Sequence, residues 1–231
     1  MGVRSIAGGS RAPNVRVFTS DATYTSTPGA KLLQIEAVSA GGGSPAVSSL
    51  TGGVAFSGGG TSGTYVRLTC LPSDIEGAAI VVGQGTAGNG GATTIGGTLV
   101  SCTGGASGTS YTSSGALAGG NLFQTTRTPG PPPATTTIGT VINNIPGEGV
   151  PPTIVYVVAA NAGSGWTTGS GGGSNPLGTG GWAGAEKLPA GRASAVPKGY
   201  GSGAGSSIVS DGVVAAGVNG ANGVVIITEY F

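Results

Sequence analysis

Glycine occupies 50 of the 231 positions, and this sets the problem that any fold of the chain has to solve. A glycine held in a regular element costs about 0.5–1 kcal/mol relative to alanine. If half of the glycines were ordered, the burden would be on the order of 12–25 kcal/mol, more than the roughly 5–15 kcal/mol net stability of a typical domain. Either much of the glycine is disordered or something compensates. Three compensations are available: turns that need positive φ, backbones packed too closely for a Cβ, and burial between subunits. Collagen is excluded, because no glycine period of three persists. Gly85, Gly88, Gly91 and Gly217, Gly220, Gly223 are short echoes of that period, compatible with brief polyglycine-type helices.

Charge excludes further classes. Nine basic residues face eight acidic ones, and charged residues make up only 7% of the chain. No basic surplus exists to neutralise a run of phosphates, so nucleic acid is not expected as a partner. Charge-driven disorder is disfavoured because mean hydropathy is positive. The first residues lack the apolar stretch of a secretory signal, and the longest apolar runs, Ile154 to Ala160 and Val224 to Ile227, are far below the ~20 residues of a membrane-spanning helix. Synthesis in a cytoplasm without membrane insertion is the expectation. Two cysteines, Cys70 and Cys102, are too few for a disulfide scaffold. Two buried reduced thiols are the plainer reading. A Cys70–Cys102 bond would need neighbouring strands with Cα atoms within ~7 Å.

Helical periodicity is nearly absent, whereas alternation is common. In Lys31–Val38, Leu33, Ile35 and Ala37 fall on one face; in Tyr65–Leu71, Val66, Leu68 and Cys70 oppose Arg67 and Thr69. Further strands are predicted at Val15–Ser20, Ala22–Thr27, Ala78–Val82, Ala92–Ile95, Thr98–Cys102, Thr135–Asn143, Thr153–Ala160, Ser207–Ser210, Val213–Ala216 and Val224–Tyr230. The last is apolar on both faces at Val224–Ile227 and reads as a central strand. Ile95-Gly96-Gly97-Thr98 and Ser210-Asp211-Gly212-Val213 carry the chemistry of primed hairpin turns. Gly41–Thr64 and Gly163–Gly184 read as Gly/Ser/Thr-rich loops. The pattern predicts an all-β fold, a glycine-rich β-sandwich or barrel-like domain with long Gly/Ser loops. An N-terminal attachment segment at 1–14 precedes a domain at 15–231. A subdivision near 127–134, where Pro129-Gly130-Pro131-Pro132-Pro133 could act as a spacer, is weighed against a long loop within one domain.

Chemistry is sparse. Gly83-Gln84-Gly85-Thr86-Ala87-Gly88 fits a dinucleotide fingerprint, but at this glycine content the pattern arises about twice by chance. It does arise twice, the other copy being Gly58 to Gly63. No carboxylate lies between Glu76 and Glu148 to hold a ribose, so no cofactor is expected. The absence of histidine removes Ser-His-Asp and Cys-His catalysis and the usual zinc sites. Asp74 and Glu76 could act as acid and base or bind a cation, but a polar turn between Leu71 and Ala78 is the plainer reading. The chain reads as a non-enzyme without a metal. Four aromatics sit in glycine-rich settings: Tyr111, Trp166, Trp182 and Tyr200. Each is a candidate recognition anchor for a receptor, against the alternative that the ring packs back over glycine-bared backbone.

Three blocks carry a resemblance. The first runs Val17-Phe18-Thr19, Tyr24-Thr25, Pro28-Gly29-Ala30, Ile35-Glu36-Ala37-Val38, Gly41-Gly42-Gly43. The second is Thr64-Tyr65-Val66-Arg67, then Ile80-Val81-Val82-Gly83-Gln84-Gly85 and Gly91-Ala92-Thr93-Thr94-Ile95-Gly96. The third is Gly220-Ala221-Asn222-Gly223-Val224-Val225-Ile226-Ile227-Thr228-Glu229-Tyr230. In this order they resemble the glycine-rich tail-fibre and tail-tip (minor tail) proteins of tailed bacteriophages. The resemblance implies a virion structural protein in the tail, a homotrimer that binds other phage tail proteins and turns its loops toward a bacterial cell-surface receptor, glycan or protein. It implies a role in host receptor recognition and adsorption, and no catalytic residues. A purely structural tail component without receptor contact, or a glycine-rich cell-surface binding protein, are the competing readings. The insert around Arg127–Pro152 has no counterpart in the resemblance.

Overall fold

A computed structural model describes residues 11–113, 120–158, 165–182, 185–188 and 193–231, with backbone alone for Trp166 and Ala185–Leu188. The fold is all-β with several sheets, and the described helix is one 3-10 turn at Pro72–Asp74. No helix is long and apolar enough to cross a membrane.

Two five-stranded sheets form one end, here called the base. The first contains β1 (Asn14–Phe18), β21 (Val224–Tyr230), β3 (Leu32–Val38), β6 (Tyr65–Cys70) and β13 (Thr140–Ile145) in that order. The second contains β12 (Thr135–Thr136), β9 (Val100–Cys102), β8 (Thr93–Ile95), β7 (Ala79–Val81) and β2 (Ala22–Thr23). The alternation read from Lys31–Val38 and Tyr65–Leu71 determines what lies between them. Leu33, Ile35, Val66, Leu68, Val225 and Ile227 from the first sheet meet Ile80, Ile95 and Val100 from the second in one buried cluster. β21 is interior in its sheet, as its apolar faces require, with Val224 packed on Val38 and Tyr65 on the side away from that cluster. Cys70 and Cys102 lie in the same core, one on each sheet, free and buried.

Smaller sheets form the opposite end, the tip. They are β10 (Ser110–Thr112), β5 (Val54–Ser57) and β19 (Ile208–Ser210); β11 (Asn121–Gln124), β14 (Ile154–Val157), β15 (Gly165–Thr168) and β17 (Ala185–Leu188); and the pair β20 (Val214–Ala215) with β4 (Val47–Ser48). A short pair, β16 (Gly178–Thr179) and β18 (Lys198–Gly199), sits back against the base, where Leu177 covers Val38, Tyr65 and Val224. The stretches expected to be loops, Gly41–Thr64 and Gly163–Gly184, are therefore not loops throughout: they contain β4, β5, β15 and β16. Alternation did not expose these strands because β4 and β16 have two residues each, β15 is short, and β5 is buried on both faces.

Between base and tip the chain is neither strand nor helix, yet it is highly ordered by hydrogen bonding. Segment 39–44 donates backbone bonds in strict rotation. Ser39 and Gly42 donate to Thr64 and Thr61, Ala40 and Gly43 to Gly91 and Gly88, Gly41 and Ser44 to Ala221 and Val218, all at 2.8–3.2 Å. Segment 57–64 repeats the scheme: Ser57, Gly60 and Gly63 donate to Ser207, Ala204 and Gly201, while Gly58, Thr61 and Thr64 donate to Thr109, Ala106 and Thr103. Bonds that return to the same neighbour every third residue are the mark of a polyproline-II-type helix, which has three residues per turn and makes no bonds within itself. Segment 201–207 is enclosed by such helices, bonding to 39–44, 57–64, 170–174, 180–182, 193–197 and 216–223. The result is a close-packed lattice of extended crossings, the longer ones of six to eight residues spanning roughly 20 Å at about 3.1 Å per residue.

The lattice explains the glycines. A Cβ at Gly42, Gly60, Gly104 or Gly203 would lie 1.9, 2.1, 1.9 or 2.0 Å from the carbonyl oxygen of Ala106, Gly42, Gly90 or Gly60. Of the three compensations, close backbone packing dominates, and it is met within one chain. Both copies of the apparent dinucleotide fingerprint belong to this lattice: at Gly83 and Gly85 a Cβ would stand 2.1 and 1.8 Å from the Gly91 and Gly220 oxygens. Residues 127–134 are also a crossing. Thr128 exchanges backbone bonds with Val150, and Gly147 donates to Pro131.

Small hydroxyls cap the lattice at both ends. Toward the base, Ser39 Oγ accepts from Thr64 N–H and donates to the Thr103 carbonyl, and Thr93 Oγ1 accepts from Gly83 N–H. Toward the tip, buried Ser194, Ser44, Ser57 and Ser207 form a chain of Oγ contacts of 2.9, 2.7 and 2.9 Å. Hydroxyls suit these positions because each supplies the donor or acceptor that a strand lacks where it enters the lattice.

Candidate functional site

The tip is built from the ends of crossings and, among the described residues, exposes Leu50, Leu122, Tyr156, Trp182, Val213 and Val214. Its middle sheet, β10-β5-β19, is covered on both faces. Ala55 and Val209 meet Val47 and Ala215 of the β4/β20 pair, while Val54, Phe56 and Ile208 meet Val155 and Val157 of the four-stranded sheet. Two turns interlock at the apex. Asp211 and Gly212 take φ of +56° and +78°, as the Asp-Gly turn chemistry demands. β19 and β20 do not pair with each other, however; they pair with β5 and β4. The Asp211 carboxylate accepts from Gly52 N–H at 3.1 Å, and its own N–H donates to Gly53 O at 3.0 Å. The second predicted turn also departs in detail. Gly96 and Gly97 have positive φ, but Ile95 pairs with Val100, so the connection is Gly96–Leu99 rather than Gly-Gly alone.

The four candidate aromatics separate. Tyr111 lies on β10, not on a loop, and its ring stands 5.1 Å from Phe56 and 5.2 Å from Phe123, partly buried in the tip core. Trp166 occupies the register position on β15 between Tyr156 on β14 and Lys187 on β17. Trp182 closes crossing 180–182 on its way to the tip and is 68% exposed. Tyr200 is at the opposite end: it follows β18, and its neighbour Gly201 packs against Val38 and Ser39 where the base begins. Three of the four are thus brought to the tip and one is not.

The outward face of the four-stranded tip sheet adds residues that composition did not flag. Leu122 pairs with Tyr156, and Tyr156 with Trp166, so these positions form one row across the sheet. Leu122 is 63% and Tyr156 43% exposed. The available signal was alternation in β14, where Val155 and Val157 face the core and Tyr156 therefore faces out.

The groups with shifted proton affinity are all in the base. Glu229 is fully buried. Burial opposes its charge, but hydrogen bonds from the Thr27 hydroxyl and amide, the Tyr24 hydroxyl (2.7 Å) and the Asn14 amide (2.7 Å) outweigh that and hold the carboxyl at about 2. Burial, and then the Glu229 bond, raise the Tyr24 hydroxyl well above its ordinary value; Tyr65 is raised in the same way beside Glu36. Burial pushes both thiols up to about 12. Asp74 accepts from Leu71 N–H and Glu76 from Ser26 N–H, so each carboxylate serves a separate backbone turn. Among the described residues no group of carboxylates and thiols converges as metal ligands. No protein-family model matches the chain, and a search of curated proteins finds no match.

Proposed function

We propose that the chain is a tail-fibre or tail-tip protein of a tailed bacteriophage that acts in host recognition and adsorption through its tip. The observation that carries this reading is the one-ended construction. Crossings run between base strands and tip strands, so the lattice holds the exposed side chains of Leu122, Tyr156 and Trp182, in line with or near the Trp166 register position, roughly 20 Å from the base. Exposed rings on a rigid support are effective contacts for a receptor, whether a glycan or a protein, because little conformational entropy remains to be lost on binding. Within this reading the base is the β-sandwich of a glycine-rich domain whose glycines lie mainly in the crossings, and its open sheets join the other tail proteins. The homotrimeric state and the location in the virion tail rest on the resemblance.

The test is competition. Purified protein at saturating concentration is expected to block adsorption of the phage that encodes it, and Trp182→Ala together with Tyr156→Ala to weaken that block at least tenfold. Unchanged adsorption in the presence of excess protein overturns the reading. The second reading, a structural tail component without receptor contact, is favoured by the number of glycines spent on the lattice. It predicts that the same two alanine changes leave adsorption intact while Gly42→Val blocks virion assembly.

A further inference from the structure

Interior crossings use all of their faces, but crossing 216–223 does not. Val218 and Ala221 donate to Ser44 and Ser202, and Gly220 and Gly223 donate to Thr86 and Gly83. The third face carries Ala216, Asn219 and Asn222, all exposed, and the backbone N–H groups of Asn219 and Asn222 have no acceptor among the described residues. Beside this crossing runs an open groove of about 590 Å³, walled on the other side by Val196, Pro197 and Tyr200. No charged side chain lines it. The groove lies toward the base, since Asn222 Oδ1 accepts from Gly85 N–H and the Tyr200 carbonyl accepts from Asn175.

We propose that this groove is the next position of the lattice, and that it takes a glycine- and proline-rich segment of a partner protein in the polyproline-II conformation. The groove is continuous with the interface that 216–223 already forms with its neighbours. Donors on Asn219 and Asn222 are three residues apart, roughly 9 Å in such a helix, which matches the carbonyls of every third residue on an incoming segment of the same kind. Tyr200 and Pro197 supply the ring-lined wall on which proline-rich ligands pack. The uncharged lining complements an uncharged segment and leaves a charged one desolvated without a partner. The occupant needs little ordering, because polyproline II is already its preferred state. This mode is the lattice counterpart of strand addition at a sheet edge, and it is independent of what the tip contacts.

The experiment is a titration of the ¹⁵N-labelled full chain with a twelve-residue peptide of repeating Gly-Gly-Pro, beside a peptide of repeating Thr-Val. The Gly-Gly-Pro peptide is expected to give saturable shifts centred on the Asn219 and Asn222 amides and on Tyr200. Tyr200→Ala should weaken it at least fivefold. Asn219→Pro should do the same while leaving the fold intact, because that position needs neither its N–H nor a different φ. No saturable shift up to millimolar peptide, an equal response to Thr-Val, or shifts confined to the tip would each overturn the proposal.

Discussion

At Gly42 a methyl group would stand 1.9 Å from the Ala106 carbonyl oxygen and 2.4 Å from its carbon, both backbone atoms that other crossings hold in place. At Gly171 the nearest atom to such a methyl is 3.5 Å away and φ is not left-handed. The two positions therefore call for opposite outcomes from one substitution. Gly42→Ala should destabilise by about 3 kcal/mol or more through overpacking against backbone. Gly171→Ala should be neutral or stabilise by about 0.4–1 kcal/mol, because it removes freedom from the unfolded chain only. Chemical denaturation of both variants checks this, and equal effects at the two sites would contradict the lattice. Glycine's role was legible in part: close packing was one of three compensations, and the 85-88-91 and 217-220-223 echoes are lattice positions. Which glycines were indispensable was not legible, because that depends on a carbonyl distant in sequence.

Among elements, β1, β21 and the segment after β2 are tied together by one buried carboxylate. Glu229 on β21 accepts from Asn14 on β1 and from Tyr24 and Thr27, with the Arg16 guanidinium 3.9 Å away. Because the folded carboxyl titrates near 2 rather than 4.5, its contribution is complete above about pH 4.5 and drains away as pH falls toward 2. The shift corresponds to roughly 3 kcal/mol at neutral pH. Glu229→Gln should therefore lose stability at pH 7 and show a flatter acid limb, measured by thermal melts between pH 2 and 7; an unchanged slope would refute the assignment. The long strands of the base were readable from alternation, since one face is core and the other is not. β5 and β15 were not, because Val54–Ser57 is buried on both faces and Gly165–Thr168 is short, so neither alternates. Polyproline-II crossings leave no hydrophobic period at all, and only their hydrogen-bond partners reveal them.

For the molecule as a whole, base and tip share the crossings. Unfolding should be a single event. Cys70 and Cys102 report on it: they are buried on opposite base sheets, and their thiols are held near 12, so neither should react with an alkylating reagent at neutral pH. Both should become reactive at the denaturant concentration where the sheet signal in circular dichroism is lost. Labelling of either thiol well before that point would indicate that the base opens alone. The proline-rich stretch at 127–134 bonds through Thr128 and Pro131 to Val150 and Gly147.

Segments 39–44, 58–64, 103–109, 170–174 and 201–207 contain only glycine, alanine, serine and threonine. A digestive enzyme chooses its cut site by gripping a sizeable side chain and pulling several residues of main chain into its cleft. Along this waist there is almost nothing to grip, and the main chain is already engaged on every side. Degradation of the particle in a hostile medium would thus have to begin at its two extremities, and the shaft would be the last part to go.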